Sequence, residues 1–140
     1  MARFVDSSRI PELPLAFMNL DHAQEVRLLE DLGAALAAHR EGKGTLGAVV
    51  ERLSLLAVHT REHFLREEQV MRENRFPAYP AHKGEHDRFL AQMDAEARIF
   101  REGGDQARLW RYLFETVPTW FVDHIRTMDR VTAQIVADRS

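Results

Sequence analysis

The chain has no cysteine among its 140 residues. Disulfides, thiolate metal sites and iron–sulfur clusters are therefore excluded. No apolar run approaches the roughly 18 residues that a membrane span needs. The opening stretch, MARFVDSSRIPELP, lacks the apolar core of a signal peptide. These absences predict a cytoplasmic protein with no membrane partner. Charge of one sign is nowhere concentrated: 19 Lys and Arg are scattered among 22 Asp and Glu, for a net charge of −3. A nucleic-acid surface is not expected from such a pattern. There is also no strand-like alternation, no GxGxxG loop and no internal repeat. Proline and glycine are sparse, and most fall between stretches of helical periodicity rather than inside them.

Histidine is what the chain does have. Four of its seven histidines lie between His59 and His86, in HTREHFLREEQVMRENRFPAYPAHKGEH. His63 and Glu67 are four apart, as are His82 and His86, so each pair shares one helix face. Pro77 and Pro80 break the helix between them. The stretch reads as a helix hairpin with a His/Glu pair on one arm and a His/His pair on the other.

Around it the pattern predicts an all-α, up-down-up-down four-helix bundle with an extended N-terminal arm, one domain over residues 1–140. The arm covers residues 1–18 and the bundle residues 19–137. Asn19 is the expected N-cap of the first helix, with Met18, His22, Val26, Leu29, Leu32 and Leu36 inward. Thr45 caps the second, whose stripe runs from Leu46 and Val49 through Leu56, Thr60, His63 and Glu67 to Val70. The third follows Pro80, with His82, His86, Phe89, Met93 and Phe100 in line. The fourth runs from about Asp105 to Ala137, with Leu109, Leu113, Val117, Trp120, His124, Met128, Val131 and Ile135 inward. Pro118 inside it should kink the helix.

His22, His63, His82, His86 and His124 all stand where the period demands an apolar side chain, and so does Glu67. One core histidine is usually a hydrogen-bonded structural residue. Five with a carboxylate, all unpartnered, would cost several kcal/mol per group. A metal centre satisfies them together, and imidazole with carboxylate suits iron, zinc, copper or manganese. His39 reads as a solvated helix end, and His59 as a residue that flanks the cluster or supports a ligand from outside it. The His-x-x-Glu-His pattern of inverzincin proteases occurs twice, but the chain is short for such an enzyme. No histidine follows a glutamate by three, as ferritin-like dimetal proteins require. No acid–base residue beyond the ligands is obvious on the inward stripes, so no catalytic residue is expected.

With these residues in place the chain resembles a hemerythrin of the bacterial single-domain type, over residues 19 to about 131. The likeness rests on LDH, giving His22; on HFLREEQVM, giving His63 and Glu67; on HKGEH, giving His82 and His86; and on WFVDHIRTMD, giving Trp120, His124 and Asp129. It implies a non-haem diiron centre that binds dioxygen reversibly, for carriage, storage or sensing. His82, His86 and His124 would hold one iron and His22 and His63 the other. Glu67 and Asp129 would bridge them beside an oxo or hydroxo group. Trp120, Phe64 and Ile125 would form apolar walls. A diiron enzyme, whether peroxidase, oxidase or nitric oxide scavenger, is the alternative on the same ligands. The expected state is a monomer or weak homo-oligomer, with a separate signalling partner if the role is sensory.

Asp129 poses a geometric problem. It follows His124 by five residues, which places it about 140° around an ideal helix. It must approach from the helix flank, or the helix must widen into a π-bulge. Otherwise it is a solvated carboxylate paired with Arg126 or Arg130.

Overall fold

The computed structural model describes residues 5–139. Helix α1 spans Ala16–Arg40, α2 Leu46–Glu73 and α3 Tyr79–Gly103. The fourth, α4, is one continuous helical rod over residues 106–138, interrupted by two π-helical turns at Tyr112–Thr116 and Ile125–Asp129. No strand occurs among the described residues. Helix α1 packs on α2 and α4, and α3 packs on the same two. That is the arrangement of an antiparallel four-helix bundle with short connections.

The helix ends follow from local chemistry. Thr45 caps α2, its hydroxyl accepting from the Ala48 amide at 3.1 Å. Pro80 lies in the first turn of α3, where its missing N–H is no loss. Gly104, at φ +64°, ends α3 in the left-handed conformation that glycine adopts without strain.

The N-terminus differs from expectation. Helix α1 starts at Ala16, so Asn19 is inside it rather than capping it. The Asn19 side chain instead pairs with the backbone of Leu13, donating to its carbonyl and accepting from its amide, both at 2.8 Å. This pins the arm to α1. The arm contains one 3-10 turn, Ser7–Arg9, and buries Val5 and Leu13 in the core. The part of the expected arm at residues 1–4 lies outside the described residues.

Antiparallel packing divides the bundle into two ends. Leu32, Leu36, Val49, Leu53, Met93, Phe100, Leu109 and Leu113 fill one end with apolar side chains. The other end receives the start of α1, the end of α2, the start of α3 and the last third of α4. All five inward histidines of the sequence lie there.

Helix α4 departs from its expected stripe after His124. Val131 is exposed and Ile135 only half-buried, whereas Asp129, Thr132, Ala133 and Val136 are buried. The inward set has slipped by one residue. The cause is the π-turn at Ile125–Asp129, where the Arg130 amide bonds to the Ile125 carbonyl five residues back. The other π-turn stands directly before Pro118, with the Val117 amide donating to Tyr112.

Candidate metal centre

Each helix brings one or two donors to the same buried point. His22 comes from α1, His63 and Glu67 from α2, His82 and His86 from α3, and His124 and Asp129 from α4. All seven are at most 3% exposed. Asp129, at 1%, is not the solvated ion-pair residue of the alternative reading. The π-turn supplies the reach: by widening the helix it brings a residue five positions on back to the face of His124.

The donor atoms form two overlapping sets. Glu67, His82, His86, His124 and Asp129 make one, and His22, His63, Glu67 and Asp129 the other, with the atoms of each within 4.8 Å of one another. Both carboxylates belong to both sets, and their oxygens divide between them. Glu67 Oε2 is 2.7 Å from His63 Nε2, while Oε1 is 3.2 Å from His86 Nε2. Asp129 Oδ2 is 2.9 Å from His22 Nε2, while Oδ1 is 3.0 Å from His82 and 3.2 Å from His124. His124 Nε2 is also 3.2 Å from the Nε2 atoms of both His82 and His86.

Protein groups alone leave this cluster incomplete. Between two facing Nε2 atoms only one can donate a hydrogen, and Glu67 Oε1 and Asp129 Oδ1 have no hydrogen-bond partner although fully buried. A pair of cations, one in each set, would satisfy every one of these atoms. The donor set therefore fits a dimetal centre, and its imidazole and carboxylate chemistry suits iron.

Electrostatics point the same way. Burial disfavours a charged His63, yet Glu67 beside it outweighs this, and the imidazole is pushed up to about 9. His82 reaches about 9 against the same burial, through its contacts with Asp129 and Glu67. Burial and Asp129 would raise the Glu67 carboxyl, but the histidines hold it well below the ordinary range. Asp129 is held down likewise, chiefly by His124, against its own burial. In the metal-free chain protons thus take the place that cations would fill.

Outer contacts orient three of the five rings. His82 Nδ1 meets the Thr132 hydroxyl, His86 Nδ1 the Glu68 carboxylate and His124 Nδ1 the Glu85 carboxylate, each at 2.8 Å. Such partners fix which ring nitrogen faces a metal. Phe64 stacks on His86 with ring centres 3.8 Å apart, and Trp120 on His124 at 4.4 Å. Ile125 is fully buried and Trp120 half-buried.

Two features escaped the sequence reading. Glu68 follows Glu67 and was not assigned a place, yet it is 4% exposed and holds His86. Glu25 is 5% exposed, beside Thr60 and His59, and burial pushes its carboxyl up to about 7. The expectation of no further inward acid–base residue is therefore corrected. Its place three residues after His22 was the available signal, since residues three apart share a helix face. His59 is half-buried, with Nε2 donating to the Asp21 carbonyl at 3.2 Å. No described helix is long and apolar enough to cross a membrane.

Comparison with known proteins agrees with this geometry. Residues 13–136 match the family described as the hemerythrin HHE cation binding domain. The bacteriohemerythrin of Aquifex aeolicus (strain VF5) is 29% identical over 131 residues, covering 94% of this chain and 96% of that protein. The bacteriohemerythrin of Ralstonia nicotianae (strain ATCC BAA-1114 / GMI1000) is 37% identical over 90 residues, 64% of each chain. Among solved structures, a point mutant of hemerythrin superposes with a TM-score of 0.80 at 20% identity, covering 94% of this chain and 95% of the other. That likeness establishes a shared fold.

Proposed function

Because the chain belongs to the hemerythrin family, its residues 13–136 matching the HHE cation binding domain, we propose that it holds two iron ions and binds dioxygen reversibly. His82, His86 and His124 hold one ion, His22 and His63 the other, and Glu67 and Asp129 bridge them. The observation that carries this reading is the division of oxygens: each bridging carboxylate turns one oxygen toward each donor set. The iron pair supplies the reversible electron exchange that dioxygen binding requires.

The chain's own residues set the conditions. Three histidines serve one ion and two the other, so the second is left more open to a small ligand. Phe64, Trp120 and Ile125 line the centre with apolar surface, which excludes water and slows oxidation of the reduced form. Thr132, Glu68 and Glu85 hold His82, His86 and His124 in the orientation that presents Nε2 inward. Carriage, storage and sensing all use this same equilibrium.

A diiron enzyme is the second reading, and one observation favours it. Glu25 is a buried carboxyl outside the bridging pair, within 4.8 Å of a nitrogen of His63. An enzyme handling a reduced oxygen species could use such a group as an acid. One experiment separates the readings. The iron-loaded chain is reduced anaerobically, exposed to air and then flushed with argon. A carrier gains a visible charge-transfer band in air and loses it under argon. Permanent oxidation, with steady consumption of added reductant, favours the enzyme and contradicts reversible binding.

A further inference from the structure

The five inward histidines are not supported alike. His82, His86 and His124 each have a hydrogen-bond partner on Nδ1. His22 Nδ1 and His63 Nδ1 are buried with none. Beside His63 lies a second unpartnered atom, Glu25 Oε1, on a residue 5% exposed. Glu25, His59 and His63 each offer a nitrogen or oxygen within 4.8 Å of the other two.

Helix spacing explains how these groups meet. Glu25 is three residues after His22, so α1 turns both toward α2. Thr60 is three residues before His63 and His59 four before it, so both lie next to His63 on α2. The Thr60 hydroxyl donates to Glu25 Oε2 at 2.6 Å and fixes that end of the carboxylate. His59 Nε2 is 3.4 Å from Glu25 Oε1, but its hydrogen goes to the Asp21 carbonyl. Oε1 is thereby left with a free acceptor position, in a carboxylate that has an oxygen within 4.8 Å of a His63 nitrogen.

We propose that Glu25 is the positioning residue of His63: it accepts a hydrogen bond from His63 Nδ1, directly or through one water, when Nε2 is on a metal ion. This rests on the dimetal reading above. A metal on Nε2 leaves the ring hydrogen on Nδ1 and strengthens it as a donor, and a buried carboxylate is its natural acceptor. Glu25 also adds negative charge on the side with fewer ligands. Thr60 holds Glu25 for this task.

The test compares wild type with Glu25→Ala and Glu25→Gln. Iron(II) is titrated anaerobically into the metal-free chain against a competing chelator, which yields a constant for each ion. The expected result for Glu25→Ala is a roughly 10- to 100-fold loss of affinity for one ion with the other little changed. Glu25→Gln keeps the shape and one acceptor without the charge, and should lose less in the same constant. A second readout uses the zinc(II)-loaded, histidine-labelled chain and the slowly exchanging imidazole N–H signals in NMR. Wild type should show those of His63, His82, His86 and His124, and Glu25→Ala should lose that of His63 alone. Unchanged constants and signals in both variants overturn the proposal. So does an equal loss at every ion together with loss of all the signals, which marks general disruption of the bundle. A wild type that binds a single ion contradicts the dimetal reading, and the role of Glu25 is then decided on that one constant.

Discussion

Glu67 and Asp129 carry more of the site than any histidine, because each faces both donor sets. Glu67→Ala and Asp129→Ala should each release at least one iron per chain, measured by elemental analysis of the folded variants. Glu85→Ala removes only the outer partner of His124. It should weaken binding about 10- to 100-fold and keep the ion count. The metal-free chain should also respond to pH. His63 and His82 titrate near 9, against about 6.5 for an unfolded histidine. The stability they contribute is complete below about pH 6.5 and lost as pH rises through 9. Glu25, raised to about 7 from 4.5, acts in the same direction over its lower window. Thermal unfolding of the metal-free chain should show a falling melting temperature between about pH 6.5 and about 9.5; a rise would contradict the proton-filled cluster. The inward histidines were legible in the sequence because each interrupts an apolar stripe. Glu25 and Glu68 were not, because a glutamate on a helix ordinarily reads as solvated.

Helix α4 shows where an element defeats its own periodicity. Met128, Val131 and Ile135 continue the 3.6-residue stripe from His124, yet the buried residues are Asp129, Thr132, Ala133 and Val136. The pattern up to His124 contains no sign of the slip; the five-residue spacing of His124 and Asp129 does, and it led to the π-turn as one of two routes. The bulge accommodates one extra residue. Deleting Thr127, which is exposed within it, should restore an ordinary turn with the aspartate four residues after His124 and the downstream core in register. That variant should keep two irons per chain. Deleting Asp123, exposed in the regular helix just before His124, rotates the histidine by about 100° from its neighbours and should lose metal. Equal metal loss in both deletions would show that the bulge is not a local insertion. The start of α1 was misread for a similar reason. Asn19 is a good cap in isolation, but its amide pairs with the Leu13 backbone.

For the whole molecule, periodicity and short Gly- or Pro-bearing connections were enough to predict a four-helix bundle, because up-down packing is what four such helices can do. Periodicity does not reveal that the polar load gathers at one end. That follows from the antiparallel order, which brings the start of α1 beside the end of α2 and the start of α3 beside the end of α4. The apolar end then serves as the folded base, while the other end holds seven buried polar side chains that only cations or protons can balance. Metal loading should therefore stabilise the fold, since ions bind the native state and not the unfolded chain. The measurement that bears most directly on the central claim is an anaerobic titration of the metal-free chain with iron(II), followed by its melting temperature at each step. Two irons should bind per chain, with unfolding moving to higher temperature until the second is in place. A single ion per chain, or two ions with no change in melting temperature, would contradict a shared dimetal centre in the bundle core.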